Sequence, residues 1–287
     1  MANLKDIRDR IKSVTSIQKV TKAMKMVAAA KMRRAQENME QARPYSNRLA
    51  EIIQNLLPDV DRELLPLLEV RKVNRVAFLV VTSDKGLAGS FNSSVLRRAQ
   101  SEIDEFGKEN VDLFCAGKKA RDFFIARRYK IVESHVDFWG GLDFNYAIKI
   151  ANGILHHFLK GHVDEIRVVY NEFVNVATQI VLTEKLLPLD YEADEADEGV
   201  SVDRLYEPSK GEIVKSLIPR HLNVQMWKYL LESYASEQAA RMVAMENATS
   251  NSQEMIKDLK LEFNKARQAA ITTEMLEIVG GAESLKG

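Results

Sequence analysis

Several features common in proteins are scarce in this 287-residue chain, and each scarcity narrows what the chain can be. Cys115 is the single cysteine, which excludes an internal disulfide and a cysteine-rich zinc module and fits a reducing compartment. Aromatic residues make up 7% of the chain and prolines number 6, while charged residues reach 29%. This balance favours long helices that face solvent over a β-sandwich or a disordered chain.

A net charge and long apolar runs are also missing. Lys and Arg together number 41, as do Asp and Glu, which argues against a surface built as a whole to bind nucleic acid. The longest purely apolar run, Val76–Val81, is far shorter than the roughly 20 residues of a membrane-spanning helix. The first residues lack the apolar stretch of a secretory signal, and Asp6 and Asp9 are unlike a transit peptide. We therefore expect a chain that is soluble or peripheral to a larger assembly.

The N-terminal part of the chain carries a helical pattern. Neither glycine nor proline interrupts residues 2–43. Apolar residues follow one another at steps of three and four, the spacing of one helix face, through Leu4, Ile7, Ile11 and Val14. This stripe is predicted to shift next to Ile17, Val20, Met24 and Val27, and then to continue through Met32, Ala35, Met39 and Ala42.

The C-terminal part has a longer pattern, because no helix breaker lies between Pro219 and Gly280. Its stripe has the a/d spacing of a coiled coil and comprises Met242, Met245, Thr249, Ser252, Ile256, Leu259, Phe263, Ala266 and Ala270. We predict that an N-terminal helical segment, residues 1–57, pairs with a C-terminal segment, residues 208–287, as a long antiparallel coiled coil.

The middle of the chain alternates strand and helix patterns. Strands are predicted over residues 74–82, 111–115, 130–136, 165–174 and 177–186, and helices over 92–106, 118–127 and 144–159. Such alternation predicts a mostly parallel sheet in a Rossmann-like α/β domain, which we place at residues 73–200. The predicted fold therefore mixes the α/β and α+β classes: a long antiparallel coiled coil with an inserted Rossmann-like domain.

The turn after the first strand is where a doubly wound fold could bind a nucleotide phosphate. Its glycines, Gly86 and Gly89, are spaced as G-x-x-G, which is neither the dinucleotide nor the phosphate-loop pattern. We expect a tight structural turn whose glycines matter for folding, with Ser90 or Asn92 capping the next helix.

No set of residues predicts catalysis, a bound metal or a bound cofactor. His156 and His157 are adjacent and point to different sides of a helix, so they cannot ligate one metal as an i, i+4 pair would. Cys115 lies inside a strand pattern and is expected to be a small core residue.

Charge is unevenly placed near the N-terminus. Residues 10–36 contain eight basic residues and no acidic one: Arg10, Lys12, Lys19, Lys22, Lys25, Lys31, Arg33 and Arg34. A coiled coil that only had to be stable in water would mix the two signs, so this face indicates a partner surface. An acidic protein is favoured over nucleic acid, because the chain as a whole is neutral.

Several segments resemble one family, the gamma subunits of F-type ATP synthases. Residues 17–32, IQKVTKAMKMVAAAKM, resemble the family's N-terminal helix. Residues 271–284, ITTEMLEIVGGAES, match its pattern I-T-x-E-x-x-E-x-x-x-G-A-x-S at every fixed position. Residues 84–92, 206–208 and 236–245 are also similar to the family, and the resemblance is thinnest over 111–193.

The resemblance implies a central rotor shaft rather than an enzyme. The coiled coil would turn inside a ring of alpha and beta subunits, and the α/β domain would form a foot on the c-subunit ring beside the epsilon subunit. Proton flow would turn the shaft, which would force each beta subunit in turn through ATP binding, synthesis and release. ATP, ADP and Mg would bind on the alpha and beta subunits, so this chain would need no cofactor of its own.

Residue roles follow from the resemblance only where its motifs match. Contacts with beta subunits are implied for Lys22, Met24, Lys25, Arg267, Gln268, Thr272 and Glu274. Tyr206 and Glu207 would lie on the foot, and Ile278 and Val279 would turn inside an apolar sleeve at the top of the ring. Structural roles compete with two of these interpretations, since Met24 could fill the coiled-coil seam and Arg267 could be an ordinary exposed flank.

The resemblance also bears on location and on rival functions. Chloroplast members carry a cysteine-bearing regulatory segment, so a chain with Cys115 alone is not expected to be switched by thiols. Without a transit peptide, we expect a bacterial protein, peripheral to the plasma membrane on its cytoplasmic side. The rivals are a chromosome-organising coiled-coil protein that binds DNA through residues 10–34 and a nucleotide-dependent enzyme built on the α/β domain.

Overall fold

The computed structural model describes residues 4–57, 60, 65–189, 207 and 209–284. Two very long helices lie at its ends, α1 at Leu4–Leu56 and α5 at Lys210–Ser284. Between them come strands β1 Val76–Val81, β2 Val111–Ala116, β3 Ile131–His135, β4 Glu165–Phe173 and β5 Gln179–Leu187, and helices α2 Phe91–Phe106, α3 Lys118–Ala126 and α4 Phe144–Leu159. Every predicted strand and helix is present, within about three residues of its predicted ends.

The chain divides into two compact units. We call residues 1–28 with 242–287 the two-helix unit, and residues 29–241 the sheet unit.

In the two-helix unit, α1 and α5 pack against each other in antiparallel directions. The Thr21 and Thr249 hydroxyls share a hydrogen bond of 2.8 Å, and Lys25 forms an ion pair with Glu246. Toward the other end, the Arg8 guanidinium lies 5.5 Å from the centre of the Phe263 ring. Higher numbers on α5 therefore meet lower numbers on α1, as the predicted antiparallel coiled coil requires.

The predicted α5 seam is confirmed from Met242 to Ala266, where every residue of the stripe is buried or half-buried, and ends before the exposed Ala270. The predicted α1 stripe is wrong in its middle: Ile17, Val20 and Val27 are more than half exposed. Within the two-helix unit the seam passes instead through half-buried or buried residues at three- and four-residue steps, namely Val14, Gln18, Thr21, Lys25 and Ala28.

The sheet unit is built on five strands in the order β3-β2-β1-β4-β5. β1, β2, β3 and β4 run parallel to their neighbours, and β5 is the one antiparallel strand of this described sheet, paired with β4. The predicted Rossmann-like, mostly parallel sheet is thereby confirmed. Strands β1 and β2 are buried on both faces, which explains why β1 reads as a continuous apolar run.

Helices cover both faces of the sheet. On one face α2 and α3 pack through residues such as Val95, Ile103 and Phe124. On the other face α4 packs together with the sheet-unit parts of α1 and α5, through residues such as Ile53 and Leu222. The two long helices are therefore part of the core of the sheet unit.

Candidate functional site

The last turns of α5 carry side chains that nothing in the two-helix unit covers. Each residue from 267 to 282 is exposed. The apolar members of this segment, which we call the free end of α5, are between 46% and 67% exposed: Ile271, Met275, Leu276, Ile278 and Val279. Large apolar side chains exposed within a few turns of one helix are typical of a surface that another protein covers.

Four residues predicted to contact a beta subunit, Arg267, Gln268, Thr272 and Glu274, lie on this free end. Arg267 has no ion pair among the described residues. The Thr272 hydroxyl donates to the Gln268 carbonyl at 2.9 Å, a bond within the helix that leaves the Gln268 amide group at the surface. All four side chains are thus presented to solvent.

The outward face of α1 combines positive charge with apolar groups. Of its eight basic residues between 10 and 36, only Lys25 is half-buried, and the others are exposed. The residues Ile17, Val20, Met26 and Val27 are 53% to 60% exposed on the same helix. The sequence pattern predicted Ile17, Val20 and Val27 in the seam. The prediction failed because periodicity shows that a helix face is apolar but does not show which protein covers that face.

The three α1 residues with predicted beta contacts differ in their surroundings. Lys22 is exposed, Met24 is half-buried beside the seam, and Lys25 is engaged by Glu246. Met24 therefore contributes to the seam while keeping part of its side chain at the surface. Of the two foot residues, Glu207 is exposed, and Tyr206 lies outside the described residues.

The turn after β1 is held by side chains of the sheet unit itself. The Asn92 side chain reaches back to Ser83, accepting from its backbone N–H at 3.0 Å. The Asp84 carboxylate accepts backbone N–H groups from Lys118 at 2.7 Å and from Asp137 at 2.9 Å. Ser90 is the N-cap residue of α2, as expected, but its side chain makes no capping hydrogen bond; the expected Asn92 cap is wrong, because that side chain is turned toward the turn.

A buried arginine of α5 also closes this turn. Arg241 donates from Nη1 to the Gly86 carbonyl at 2.6 Å and forms an ion pair with Glu237, one helical turn earlier. Both side chains are buried. Burial raises the pKa of Glu237, and the Arg241 guanidinium opposes that rise. The Arg241 guanidinium thus ties the Gly86 carbonyl of this turn to α5.

The two turn glycines differ. Gly89 has φ +54°, a backbone conformation that favours glycine, so the expectation that it matters for folding agrees with the geometry. For Gly86 the expectation is wrong, because its φ is ordinary and a Cβ would meet no atom within 4 Å. Among the glycines that the structure describes, the one with the tightest surroundings follows β2: a Cβ on Gly117, at φ +113°, would lie 2.0 Å from the Thr82 carbonyl oxygen.

His157 and Cys115 have structural surroundings. His157 Nε2 lies 2.7 Å from the carboxylate of buried Asp112, which also receives Lys130 at 2.7 Å and Arg75 at 3.1 Å. Burial acts to raise the pKa of Asp112, but these donors outweigh it and lower the pKa. Burial raises the pKa of the Cys115 thiol to about 12, which makes it an inert core residue. Within the described residues no group of three or more His, Cys, Asp or Glu side chains could hold a metal.

Two glutamates of the sheet unit, Glu184 on β5 and Glu232 on α5, are close enough for their charges to interact. Glu184 accepts hydrogen bonds from the hydroxyls of Tyr170 at 2.5 Å and Tyr229 at 2.9 Å, one to each carboxylate oxygen. Nearby, one oxygen of Glu232 is buried and has no hydrogen-bond partner among the described residues.

Glu232 is the most perturbed carboxyl group of this region. Burial raises its pKa from 4.5 to about 7, helped by the negative charges of Glu172 and Glu184 and opposed by the positive charges of Lys228 and Arg43. A carboxyl group with such a pKa changes its charge near neutral pH.

In the part of the chain that the structure describes, each helix is too short or too polar to cross a membrane.

Comparisons with known proteins agree with these features. The family model described as ATP synthase matches residues 3–285. The ATP synthase gamma chain of Prosthecochloris aestuarii is 50% identical to this chain, and that of Chlorobium phaeobacteroides is 48% identical, each over the full length of both chains.

Solved structures give the same fold. A chain of the Tetrahymena thermophila mitochondrial ATP synthase central stalk and c-ring is 25% identical with a TM-score of 0.63, covering 80% of this chain and 99% of its own length. A chain of the Euglena gracilis mitochondrial ATP synthase, from a structure of its F1 and c-ring, has a TM-score of 0.69 at 20% identity, covering 98% of this chain and 94% of its own. The fold matches these structures in its two long helices and its mixed sheet, and about half of the residues are identical to those of the relatives over the full length of both chains. The chain therefore belongs to the ATP synthase gamma chain family.

Proposed function

We propose that this chain is the central shaft of a rotary ATP synthase, coupling the rotation of a c-subunit ring to ATP synthesis and hydrolysis. The observation that carries the proposal is the free end of α5, a helix end with five large apolar side chains that its own unit leaves uncovered. Such a surface does not stabilise an isolated chain, whereas a shaft that turns inside a ring of other subunits needs it to contact them.

The construction of the two-helix unit suits the transmission of torque. Two antiparallel helices share a continuous seam from Met242 to Ala266 on the α5 side, and the Thr21–Thr249 hydrogen bond fixes their register. The part of α5 in this unit continues without glycine or proline as far as Gly280. Twisting such a pair requires breaking seam contacts along its length, so it resists torsion better than a single helix.

Coupling would arise from differential contact. A shaft whose surface differs around its circumference favours a different conformation of each surrounding subunit at each angle, and only such differences can shift their equilibria. The α1 face supplies positive charge at Lys22, and the free end of α5 supplies Arg267, Gln268, Thr272 and Glu274. We assign these side chains, with Met24 and Lys25, to contacts with beta subunits.

The tip and the foot complete the proposal. Ile278 and Val279, 65% and 59% exposed, would turn in an apolar sleeve formed by the ring. Glu207, with Tyr206, would face the c-subunit ring, and the epsilon subunit would lie beside the foot. We propose residues 1–57 and 208–287 as the shaft segments and 73–200 as the foot, on the cytoplasmic side of a bacterial plasma membrane.

The chemistry of ATP belongs elsewhere in this proposal. Membership of the gamma chain family makes this chain a non-catalytic subunit, and ATP, ADP and Mg would bind on alpha and beta subunits. The spacing of Gly86 and Gly89, which matches neither phosphate-binding pattern, supports this assignment.

Reconstitution tests the proposal. The purified chain is mixed with alpha and beta subunits, the complex is isolated, and ATP hydrolysis is measured. We expect one copy of the chain per ring and activity above that of alpha and beta alone. A folded chain that remains a separate peak would overturn the proposal, and DNA binding by residues 10–34 would then be measured.

A second experiment tests the assigned contacts. Arg267→Ala combined with Gln268→Leu should weaken ATP synthesis in the membrane-bound complex by about tenfold while leaving the isolated chain folded, because both side chains are exposed. The matched control is Lys260→Ala with Gln253→Leu, which alters the same kinds of exposed side chain earlier on α5. Wild-type synthesis by the Arg267 and Gln268 double variant would show that these side chains do not carry the coupling.

A further inference from the structure

Glu184 connects the edge strand β5 to α5. Its two carboxylate oxygens accept one hydrogen bond each, from the Tyr170 hydroxyl of β4 and from the Tyr229 hydroxyl of α5. The centres of the two tyrosine rings lie 4.7 Å apart, and both side chains are buried. Burial and the charge of Glu184 raise the pKa of each tyrosine, so both hydroxyls stay protonated and keep donating near neutral pH.

Two further carboxyl groups lie near this connection. Glu232 follows Tyr229 by three residues on α5, so both side chains lie on the same face of the helix. Side chains alternate along β4 and β5, and the register places Glu172 and Glu184 on the same face of the sheet as Tyr170. Three carboxyl groups therefore lie together between α5 and the β4–β5 hairpin, close enough for their charges to interact.

The charges around Glu232 balance only when it is protonated. Positive charges act on it from Lys228 of α5 and from the exposed Arg43 of α1. Negative charges act on it from Glu172 and Glu184. Ionisation of Glu232 therefore leaves one negative charge in excess. In addition, one buried Glu232 oxygen has no hydrogen-bond partner in the described part of the chain, so the ionised form lacks a donor at that atom.

Strand β5 is the element of this arrangement that can open by itself. It lies at one edge of the described sheet and pairs there with β4 alone. Most of its residues are half-buried and Ile180 is 44% exposed, whereas every residue of β1 is buried. Local opening occurs where few buried contacts hold an element in place. Loss of the contact between Glu184 and α5 should therefore free β5 while β1 stays closed.

We infer that the protonation state of Glu232 controls the attachment of β5 to α5: the protonated form keeps β5 in place, and the ionised form releases it locally. Burial raises the pKa of Glu232 from 4.5 to about 7, so this change falls near neutral pH. The closed form binds the proton more tightly than the open form, so its advantage is complete below pH 4.5 and is lost as the pH rises through about 7. The inference goes beyond the proposed function and does not depend on it, because it concerns contacts within one chain.

Hydrogen exchange of the full chain, measured by mass spectrometry at pH 5, 6, 7 and 8, tests the inference. Each exchange rate is divided into the rate of an unstructured peptide at the same pH, which removes the intrinsic effect of pH and gives a protection factor. We expect the protection of the β5 amides, Gln179–Leu187, to fall about tenfold between pH 5 and pH 8. The β1 amides, Val76–Val81, should exchange more slowly than the β5 amides at every pH.

Three variants separate the Glu232 proton from other effects of pH. Glu232→Gln carries no charge, so its β5 protection should be nearly the same at pH 5 and pH 8. Glu172→Gln removes one of the charges that repel ionised Glu232 and should give a smaller fall than the wild type shows, which provides a test even if Glu232→Gln does not fold. The matched control, Glu105→Gln at an exposed position of α2, should follow the wild type.

The other outcomes overturn the inference. Protection of β5 that does not change with pH in the wild type would show that Glu232 does not control this strand. A fall of wild-type size in Glu232→Gln, or in Glu172→Gln, would assign the pH response to other groups. Equal exchange rates for the β5 and β1 amides would show that the sheet unit opens as a whole, which rules out a local release of β5.

Discussion

Replacing Glu232 by glutamine should remove a large part of the pH dependence of stability in the sheet unit. Burial raises the pKa of this carboxyl group from 4.5 to about 7 in the folded chain, so the folded state binds its proton more tightly than the unfolded state does. The stabilising contribution of that proton is complete below pH 4.5 and is lost as the pH rises through about 7.

The magnitude follows from the displacement of the pKa. Moving a carboxyl pKa from 4.5 to about 7 corresponds to roughly 3 kcal/mol of unfolding free energy between the protonated and ionised limits. Glu232 is half-buried, and solvent reaching its side chain reduces this figure to about 2 kcal/mol. Glutamine fills nearly the same volume and carries no charge at any pH, so the variant should keep the stability that the wild type has only in acid.

Urea denaturation at pH 5, 6, 7 and 8, followed by tryptophan fluorescence, measures the effect. Both tryptophans of the chain, Trp139 and Trp227, lie in the sheet unit, so the signal reports on that unit. We expect Glu232→Gln to exceed the wild type by about 2 kcal/mol at pH 8 and by only about 0.5 kcal/mol at pH 5. Glu105→Gln, at an exposed position of α2, should follow the wild type throughout. Parallel curves for Glu232→Gln and the wild type would refute the reasoning.

Three further predictions concern the sheet unit. Gly117→Ala should cost at least about 3 kcal/mol in urea denaturation, because its Cβ would overlap a carbonyl oxygen at a positive φ, whereas Gly86→Ala should be nearly neutral; equal losses would contradict the geometry. Arg241→Met should cost about 3–5 kcal/mol by leaving Glu237 buried without its cation, and adding Glu237→Met should recover a measurable part of that loss. Cys115 should react with a thiol reagent only at the rate of unfolding, since it is buried and its pKa is about 12; rapid labelling of the folded chain would be inconsistent with that burial.

The sequence predicted the elements better than it predicted which surfaces face one another. The α5 seam was found because Met242, Met245 and the residues after them keep their spacing without interruption and are covered within the same chain. On α1 the same reasoning selected Ile17 and Val20, which are exposed, in place of Gln18 and Thr21. Polar residues can fill a seam when they bond across it, as Thr21 does, and periodicity of hydrophobicity cannot register such a bond.

Local turn chemistry was the other limit. The strand, turn and helix around Gly89 were predicted, but the Asn92 side chain serves the turn instead of the helix, a choice that depends on the position of Ser83. The burial of Arg241 and Glu237 could not be predicted from the sequence either. Their i, i+4 spacing is visible in the sequence, yet the same spacing occurs at Arg33 and Glu37, which form an ion pair in solvent.

The free end of α5 has a consequence for the life of the chain before assembly. Its exposed apolar residues between Ile271 and Val279 make a newly synthesised copy prone to aggregation. A helix end without tertiary contacts also unfolds locally with little cost in free energy, which exposes it to proteases. A surplus of copies over rings would therefore be cleared or aggregate, whereas a copy that finds its ring would be protected. The same surface would in this way hold cellular stoichiometry close to one shaft per ring.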